Sequence, residues 1–330
     1  MRTLSKIVVT GASGFVGKAV QEELRKTFHS VVAYMREESD PTHSYRLGSR
    51  IVRGDIDDAT ALREAFSGGV DAVVHLVGIL REEGRNTFER VHVTGVRTVL
   101  DLAREYKVKK IVHVSALGAR SDAVTRYHRT KWEAEKLVQS SELPATIVRP
   151  SVVFGSEAEF VRLIEFLVSF PCFTPVIDPG PGRLQPVWVR DLARIIRLCL
   201  EEESTDSAVY DIGGPETFSI GTLIEAFEAR QGRQKPHVVV PAAFVGLAAC
   251  ALELPGIRQL VDFINKNICF LPRITRDQLS LLREVHPCDF GKIKDVFPFP
   301  FLRVSDWLAS NEYRSHPWKS WQGRWIGSAS

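Results

Sequence analysis

The tightest limit on this chain comes from short runs of β-branched residues that stay apolar along their length instead of alternating with polar ones. They are Lys6-Ile-Val-Val-Thr10, Ser30-Val-Val-Ala-Tyr-Met35, Arg50-Ile-Val-Arg53, Asp71-Ala-Val-Val-His-Leu76, Lys110-Ile-Val-His-Val114 and Ala145-Thr-Ile-Val-Arg149. A strand with one wet face alternates, whereas a strand covered by helices on both faces does not. Stretches of helical period separate the runs: Gly14 to Phe28, with Val16, Val20 and Leu24 on one face, Ala59 to Phe66, about Thr87 to Tyr106, and a segment carrying Tyr127 and Lys131. This alternation predicts an α/β fold built on a doubly wound parallel sheet.

The rhythm loosens after Pro150. Phe160 to Phe170 reads as helix, Pro171 to Pro186 as a Pro- and Gly-rich connection, Val189 to Glu203 as helix, and Ala208 to Ile212 as a strand returning to the main sheet. From Ser219 onward the pattern is mostly helical, with prolines as punctuation. The expected organisation is a first domain over 1–155, rejoined by 186–214, with 156–185 and 215–315 forming a smaller, mostly helical C-terminal lobe over the carboxyl ends of the strands. Residues 316–330, with three tryptophans, show no pattern.

The composition, 44% apolar and 25% charged with a formal net charge of +3, is that of a globular protein. Its acidic and basic residues are interspersed, which argues against a dedicated nucleic-acid surface. Cys172, Cys199, Cys250, Cys269 and Cys288 are widely spaced without a C-x-x-C pair, so no metal site or disulfide framework is expected, and a cytoplasmic location is. The opening Met1 to Lys6 does not resemble a secretory signal. The longest apolar stretch, Val238 to Leu252, is broken by Pro241 and is shorter than the roughly 20 residues that span a bilayer.

Gly11-Ala-Ser-Gly14-Phe-Val-Gly17 lies directly between the first strand and its amphipathic helix. Glycines there permit a positive φ and close backbone approach, and the helix amino terminus offers free N–H donors to an anion. With the full βαβ unit around it, this predicts a Rossmann-type dinucleotide site in which Gly11, Ser13, Gly14, Phe15, Val16 and Gly17 cradle the pyrophosphate. Arg36 stands where an NAD enzyme would place an acid on the ribose 2′-hydroxyl, so NADP(H) is favoured; Glu37 and Glu38 keep NAD(H) open as the alternative. Leu76-Val77-Gly78 ends the fourth strand and is expected against the cofactor ribose.

Tyr127 and Lys131, four apart on one helix face, form a candidate proton-transfer pair. A tyrosine near pKa ~10 is a poor base at neutral pH, and a nearby ammonium is expected to lower it. Ser115 ends the fifth strand and is placed to orient a substrate carbonyl or hydroxyl while hydride moves to or from a nicotinamide.

Together these segments resemble the short-chain dehydrogenases/reductases, in their extended, NAD-dependent epimerase/dehydratase-like form with a G-x-x-G-x-x-G loop. The resemblance covers about 5–230. It implies that Asp55 and Ile56 read the adenine, that Lys131 also binds the nicotinamide ribose, and that Ser115, Tyr127 and Lys131 are catalytic. Arg149-Pro-Ser-Val-Val-Phe-Gly155 is similar to a strand-to-loop passage whose backbone lies beside the nicotinamide, implicating Pro150, Val152 and Val153. Asp191, in Val187-Trp-Val-Arg-Asp-Leu-Ala193, and Tyr210-Asp-Ile-Gly-Gly214 match further family segments. The short gap between Ser115 and Tyr127, with Arg129-Thr-Lys-Trp-Glu-Ala-Glu135 and Leu271 to Leu282, is similar to the branch containing the nucleotide-binding accessory subunit of respiratory complex I and its bacterial relatives. His92 stands where many extended members carry Asn.

That branch implies two classes of function. One is an oxidoreductase or epimerase acting on a carbonyl or hydroxyl substrate of unknown identity, with an apolar pocket near Phe166 to Val176. The other is a non-catalytic, NADP(H)-stabilised structural or assembly subunit of a membrane-associated complex, peripheral to the membrane. Pro241 to Leu252 reads as a lid or core helix, with an interfacial segment as the alternative. His75 and His113 read as core residues with satisfied ring nitrogens.

Overall fold

The computed structural model describes residues 3–28, 30–178, 182–241 and 287–313. Seven parallel strands form the main sheet: β1 (Lys6–Thr10), β2 (Ser30–Met35), β3 (Arg50–Arg53), β4 (Ala72–His75), β5 (Lys110–Val114), β6 (Ala145–Pro150) and β10 (Val209–Ile212). Their spatial order is β3-β2-β1-β4-β5-β6-β10, with the order reversing beside β1. The doubly wound sheet is therefore as expected, and the strand ending at Ile212 does return to its edge, pairing with β6.

Period-two geometry sends alternate residues to opposite faces, and both faces are covered. Ile7, Val9, Val74 and Val112 pack under α1 (Phe15–Leu24) and α7 (Val189–Glu201). Val8, Val73, Ile111 and Ile147 pack under α3 (Ala59–Phe66), α4 (Gly95–Glu105) and α5 (Arg126–Gln139). Burial on both sides is why the runs carry no polar alternation.

Helix starts follow local chemistry. The Asp58 carboxylate accepts from the amides of Thr60 and Ala61 at the start of α3, and Thr125 caps α5 through the His128 amide at 3.3 Å. Two short helices flank this framework, α2 (Thr42–Arg46) early and α9 (Phe290–Val296) late. The helix expected from Thr87 begins instead as a π-helical segment, Glu89–Thr94, which runs into α4. Such segments concentrate where function requires a side chain to be re-aimed.

The lobe outside the main sheet departs from the helical expectation. Its helices α6 (Glu159–Val168), α8 (Ile220–Arg230) and α10 (Val304–Ala309) enclose Phe227 and Trp307. However, β8 (Thr174–Asp178), expected as a connection, pairs in parallel with β11 (His237–Pro241). A second small pairing joins β7 (Val153–Phe154) to β9 (Val187–Trp188). Prolines at 175 and 241 marked these stretches as breakers, but a parallel two-stranded edge tolerates proline. The expected helix at Leu271 to Leu282, the Ala242 to Leu252 part of the apolar stretch, Cys250, Cys269 and the tail from 316 lie outside the described residues. Cys172, Cys199 and Cys288 are free. Among the described residues no helix is long and apolar enough to cross a membrane, and no cluster of ligands could hold a metal ion.

Candidate functional site

A cleft of about 220 Å³ opens where the strand order reverses. It brings together Gly11, Ser13, Gly14, Arg36, Asp55, Ile56, Leu76, Val77 and Gly78 from the sequence reading. Gly11 takes φ +73°, the left-handed region that glycine occupies at little strain. Gly17 begins no turn but cannot grow, because a Cβ there would lie 2.2 Å from the Gly11 carbonyl oxygen. That packing holds α1 against the turn, with Gly14, the residue that starts the helix, on the cleft wall. These features fit a dinucleotide pyrophosphate. Phe15 differs from expectation: its side chain lies against Gly155 and lines a separate cavity of about 410 Å³ with Trp188 and Trp307. Val16 and Gly17 sit within α1 rather than at the cleft wall.

Asp55, expected at the adenine, is already paired. Arg85 donates to its carboxylate, and Arg90 stands 3.4 Å away while also gripping Asp57. An adenine amine would therefore share this acceptor with two guanidiniums. Tyr34, which the sequence reading left without a role, is buried and lines the cleft, its hydroxyl donating to the Asp55 carbonyl at 2.7 Å. Asn86, Arg90 and Ile79 also line the cleft. Only the tertiary fold brings that loop over β3, and no local pattern marked it.

Arg36 projects from the end of β2 and pairs with Glu38 at 2.9 Å. The neighbouring Arg53 guanidinium donates to the carbonyls of Arg36, Glu37 and Ser39, which organises this loop. Ser13 bonds Ser39 across it at 3.0 Å.

The catalytic candidates converge at the other end. Lys131 is buried, and its Nζ donates to the Val114 carbonyl at 2.9 Å. A Cβ on Gly78 would come within 3.4 Å of that Nζ, so the lysine meets the loop that follows β4. The ring of Tyr127 packs against Phe88, His92 and His128 while part of the residue stays open. The Ser115 hydroxyl is buried without a hydrogen-bond partner, and its amide donates to the Val148 carbonyl. Such an orphaned hydroxyl fits a role toward a substrate oxygen. Arg149 chelates Glu135 at 2.8 and 2.5 Å, and so clamps α5 to β6 one turn beyond Lys131. Pro150, Val152 and Val153 do not reach the cleft; the Val152 carbonyl is taken by the Val187 amide at 2.9 Å. Asp191 is buried, its carboxylate accepting from the Leu302 amide, and burial raises its pKa to about 6.

The electrostatic expectation for the Tyr127–Lys131 pair is overturned. Burial pushes the Tyr127 phenol up to about 12 instead of a lysine drawing it down. The Lys131 ammonium is itself pushed down to about 8 by burial, with Glu135 opposing, and its Nζ is directed to a backbone carbonyl. His75 and His113 are not satisfied core residues either. Parallel register sets them side by side on β4 and β5, stacked at 5.4 Å and 14°. His75 Nδ1 meets Thr10 Oγ1 at 2.8 Å, but its Nε2 and both nitrogens of His113 have no partner. Burial and the nearby Lys131 charge hold both rings neutral.

The lysine shift carries a sign. Between about pH 8 and 10.5 the folded protein holds a neutral amine while the unfolded chain still binds the proton, so this group adds stability as pH rises through that window. Lys131→Met should therefore be more stable than wild type at pH 7, by up to about 3 kcal/mol, with the gap closing toward pH 10. Thermal unfolding of both proteins without dinucleotide checks this; a gap that ignores pH would refute it.

The family model described as NAD dependent epimerase/dehydratase matches residues 7–213. A mitochondrial NADH dehydrogenase [ubiquinone] 1 alpha subcomplex subunit 9 from Dictyostelium discoideum is 31% identical over 216 residues, 64% of this chain and 60% of that one. A chloroplastic divinyl chlorophyllide a 8-vinyl-reductase from Oryza sativa subsp. indica is 28% identical over 284 residues, 78% of this chain and 67% of that one. The chain spans about three-fifths of the length of the mitochondrial relatives it matches. Among solved structures, an NADPH-dependent quinone oxidoreductase from Escherichia coli complexed with NADPH superposes with a TM-score of 0.68 at 21% identity, over 92% of this chain and 98% of that one. At that identity the likeness concerns the fold.

Proposed function

We propose, for a chain that belongs to the NAD-dependent epimerase/dehydratase family, that it binds NADP(H) in this cleft and reduces a carbonyl substrate through Ser115, Tyr127 and Lys131. The observation that carries the reading is Lys131, a buried cation on the Tyr127 helix held against the cofactor loop at Gly78. A bound nicotinamide supplies the hydride. Ser115 orients the substrate oxygen, and Tyr127 delivers the proton to it. A phenol raised to about 12 is protonated throughout neutral pH, which suits an acid and therefore the reductive direction. Lys131 lends its charge to the phenolate left behind and binds the ribose.

Residues 1–155 and 186–214 form the dinucleotide part of this arrangement, with Gly11, Ser13 and Gly14 at the pyrophosphate and Phe15, Val16 and Gly17 behind them at the start of α1. Asp55 and Ile56 lie at the adenine, and Leu76, Val77 and Gly78 at the ribose. The second lobe supplies the substrate wall. Phe166, Phe170 and Phe173 pack in series on that lobe, and an apolar pocket near Phe166 to Val176 would suit an apolar substrate. The 2′-phosphate of NADP(H) would meet Arg36. Arg36→Ala should weaken NADPH binding about tenfold while leaving NADH within about twofold, as expected for one charge-assisted contact. Fluorescence titration with both dinucleotides checks this, and equal losses would remove Arg36 from the 2′-phosphate.

A second reading rests on the same site chemistry. The high Tyr127 pKa and the Lys131–Val114 bond also suit a cofactor-stabilised, non-catalytic subunit, peripheral to a membrane complex on the cytoplasmic side. The relative from Dictyostelium discoideum, named as a subunit of an NADH dehydrogenase, supports it. Steady turnover of NADPH with a panel of apolar aldehydes, ketones and quinones decides for the enzyme. Dinucleotide that never exchanges, with unfolding on its removal, decides for the subunit.

A further inference from the structure

We infer that His92 is a positioning residue whose two ring nitrogens tie the cofactor loop to the helix bearing Tyr127 and Lys131. The inference rests on the function proposed above for that site. The Ile79 amide donates to His92 Nε2 at 3.1 Å, which makes Nε2 an acceptor and leaves the ring proton on Nδ1. Nδ1 lies 2.9 Å from Thr130 Oγ1, to which it donates. That hydroxyl in turn donates to the carbonyls of Arg126 and Tyr127, each at 3.0 Å. A continuous chain thus runs from the loop after Gly78, through one imidazole, to the backbone of Tyr127 and the residue beside Lys131.

The ring is placed for this. His92 is 1% exposed, stacks on Phe88 at 5.4 Å and meets Tyr127 edge-on at 5.5 Å. A Cβ on Gly78 would lie 3.6 Å from its Nε2, so the imidazole supports the loop from below. The π-helical segment Glu89–Thr94 carries it there. The ring's accepting nitrogen faces the Ile79 backbone amide, which gives up no proton at neutral pH, so no proton can enter the ring from that side. It sets geometry instead of relaying protons. Burial and the Lys131 charge keep it neutral, pushing its pKa down to about 2.

Two substitutions separate the ties. The amide of Asn reproduces a donor near Nδ1 but lacks the Nε2 acceptor, whereas Gln can place an acceptor near Nε2 but loses the Nδ1 donor. His92→Asn should speed hydrogen exchange at the Ile79 amide about tenfold and weaken NADPH binding by about fivefold. His92→Gln should leave both within about twofold and lower kcat on a panel substrate by about tenfold or more, because the reacting groups lose their fixed height. Thr130→Val should reproduce the Gln variant if that protein fails to fold. In the full chain, nitrogen NMR should show the Nδ1–H tautomer, without titration from roughly pH 5 to 9. The Nε2–H tautomer, a titrating ring, or two variants that shift the same quantities equally would overturn the inference. If neither dinucleotide binds, the proposed function fails, while tautomer and Ile79 exchange still decide the role of His92.

Discussion

Tyr127→Phe is expected to keep its dinucleotide and lose turnover by about 10²- to 10⁴-fold, the usual range for removing a positioned general acid. Binding should survive because the ring contacts to Phe88, His92 and His128 need no hydroxyl. The wild-type rate should be level across neutral pH, where the phenol is protonated, and fall above about pH 8 as Lys131 loses its charge. Single-turnover oxidation of prebound NADPH, with dinucleotide affinity measured alongside, separates the two effects. Equal activity in Tyr127→Phe and wild type would remove the tyrosine from the chemistry. Loss of binding together with turnover would make it a packing residue.

Gly17→Ala is the second large effect. Its new Cβ would stand 2.2 Å from the Gly11 carbonyl oxygen and 2.8 Å from that of Ala12, both backbone atoms of a tight turn. Neither can rotate away, so α1 must shift and the pyrophosphate turn with it. A loss of about 2–3 kcal/mol in stability is expected, with a more than tenfold fall in dinucleotide affinity. Gly14→Ala is the control: its Cβ would meet only the Gly11 oxygen, at 3.3 Å, and its φ is −71°. Its stability should change by less than about 1 kcal/mol. Urea unfolding of the two variants decides, and a Gly17→Ala protein no weaker than Gly14→Ala would refute the packing argument.

The three glycines show how far reading the residues reaches. Their spacing marked a phosphate turn, but not that Gly17 is excluded from growing by packing while Gly11 is demanded by its φ. Arg149 is similar: it was legible as a family position, yet its bidentate hold on Glu135 spans two elements that no local pattern joins. The strands at 174–178 and 237–241 were missed because each is too short and proline-marked to declare itself alone. Their pairing is a contact across more than 60 residues, which periodicity within a window cannot register.

Continuous apolar runs and intervening helical periods were enough, without coordinates, to determine the doubly wound sheet, because burial on both faces is written locally in residue type. The glycine turn, Ser115 and the four-residue spacing of Tyr127 and Lys131 are likewise local patterns, residue types at fixed spacing within one strand, turn or helix. What only the tertiary structure decided is electrostatic and geometric. Burial, not the Tyr127–Lys131 spacing, sets the two proton affinities, and Arg85 and Arg90 reach Asp55 from a loop far along the chain. The imidazole of His92 likewise ties two segments together only after folding. Desolvation and hydrogen bonding act through space, and their partners are chosen by packing rather than by neighbours in the chain.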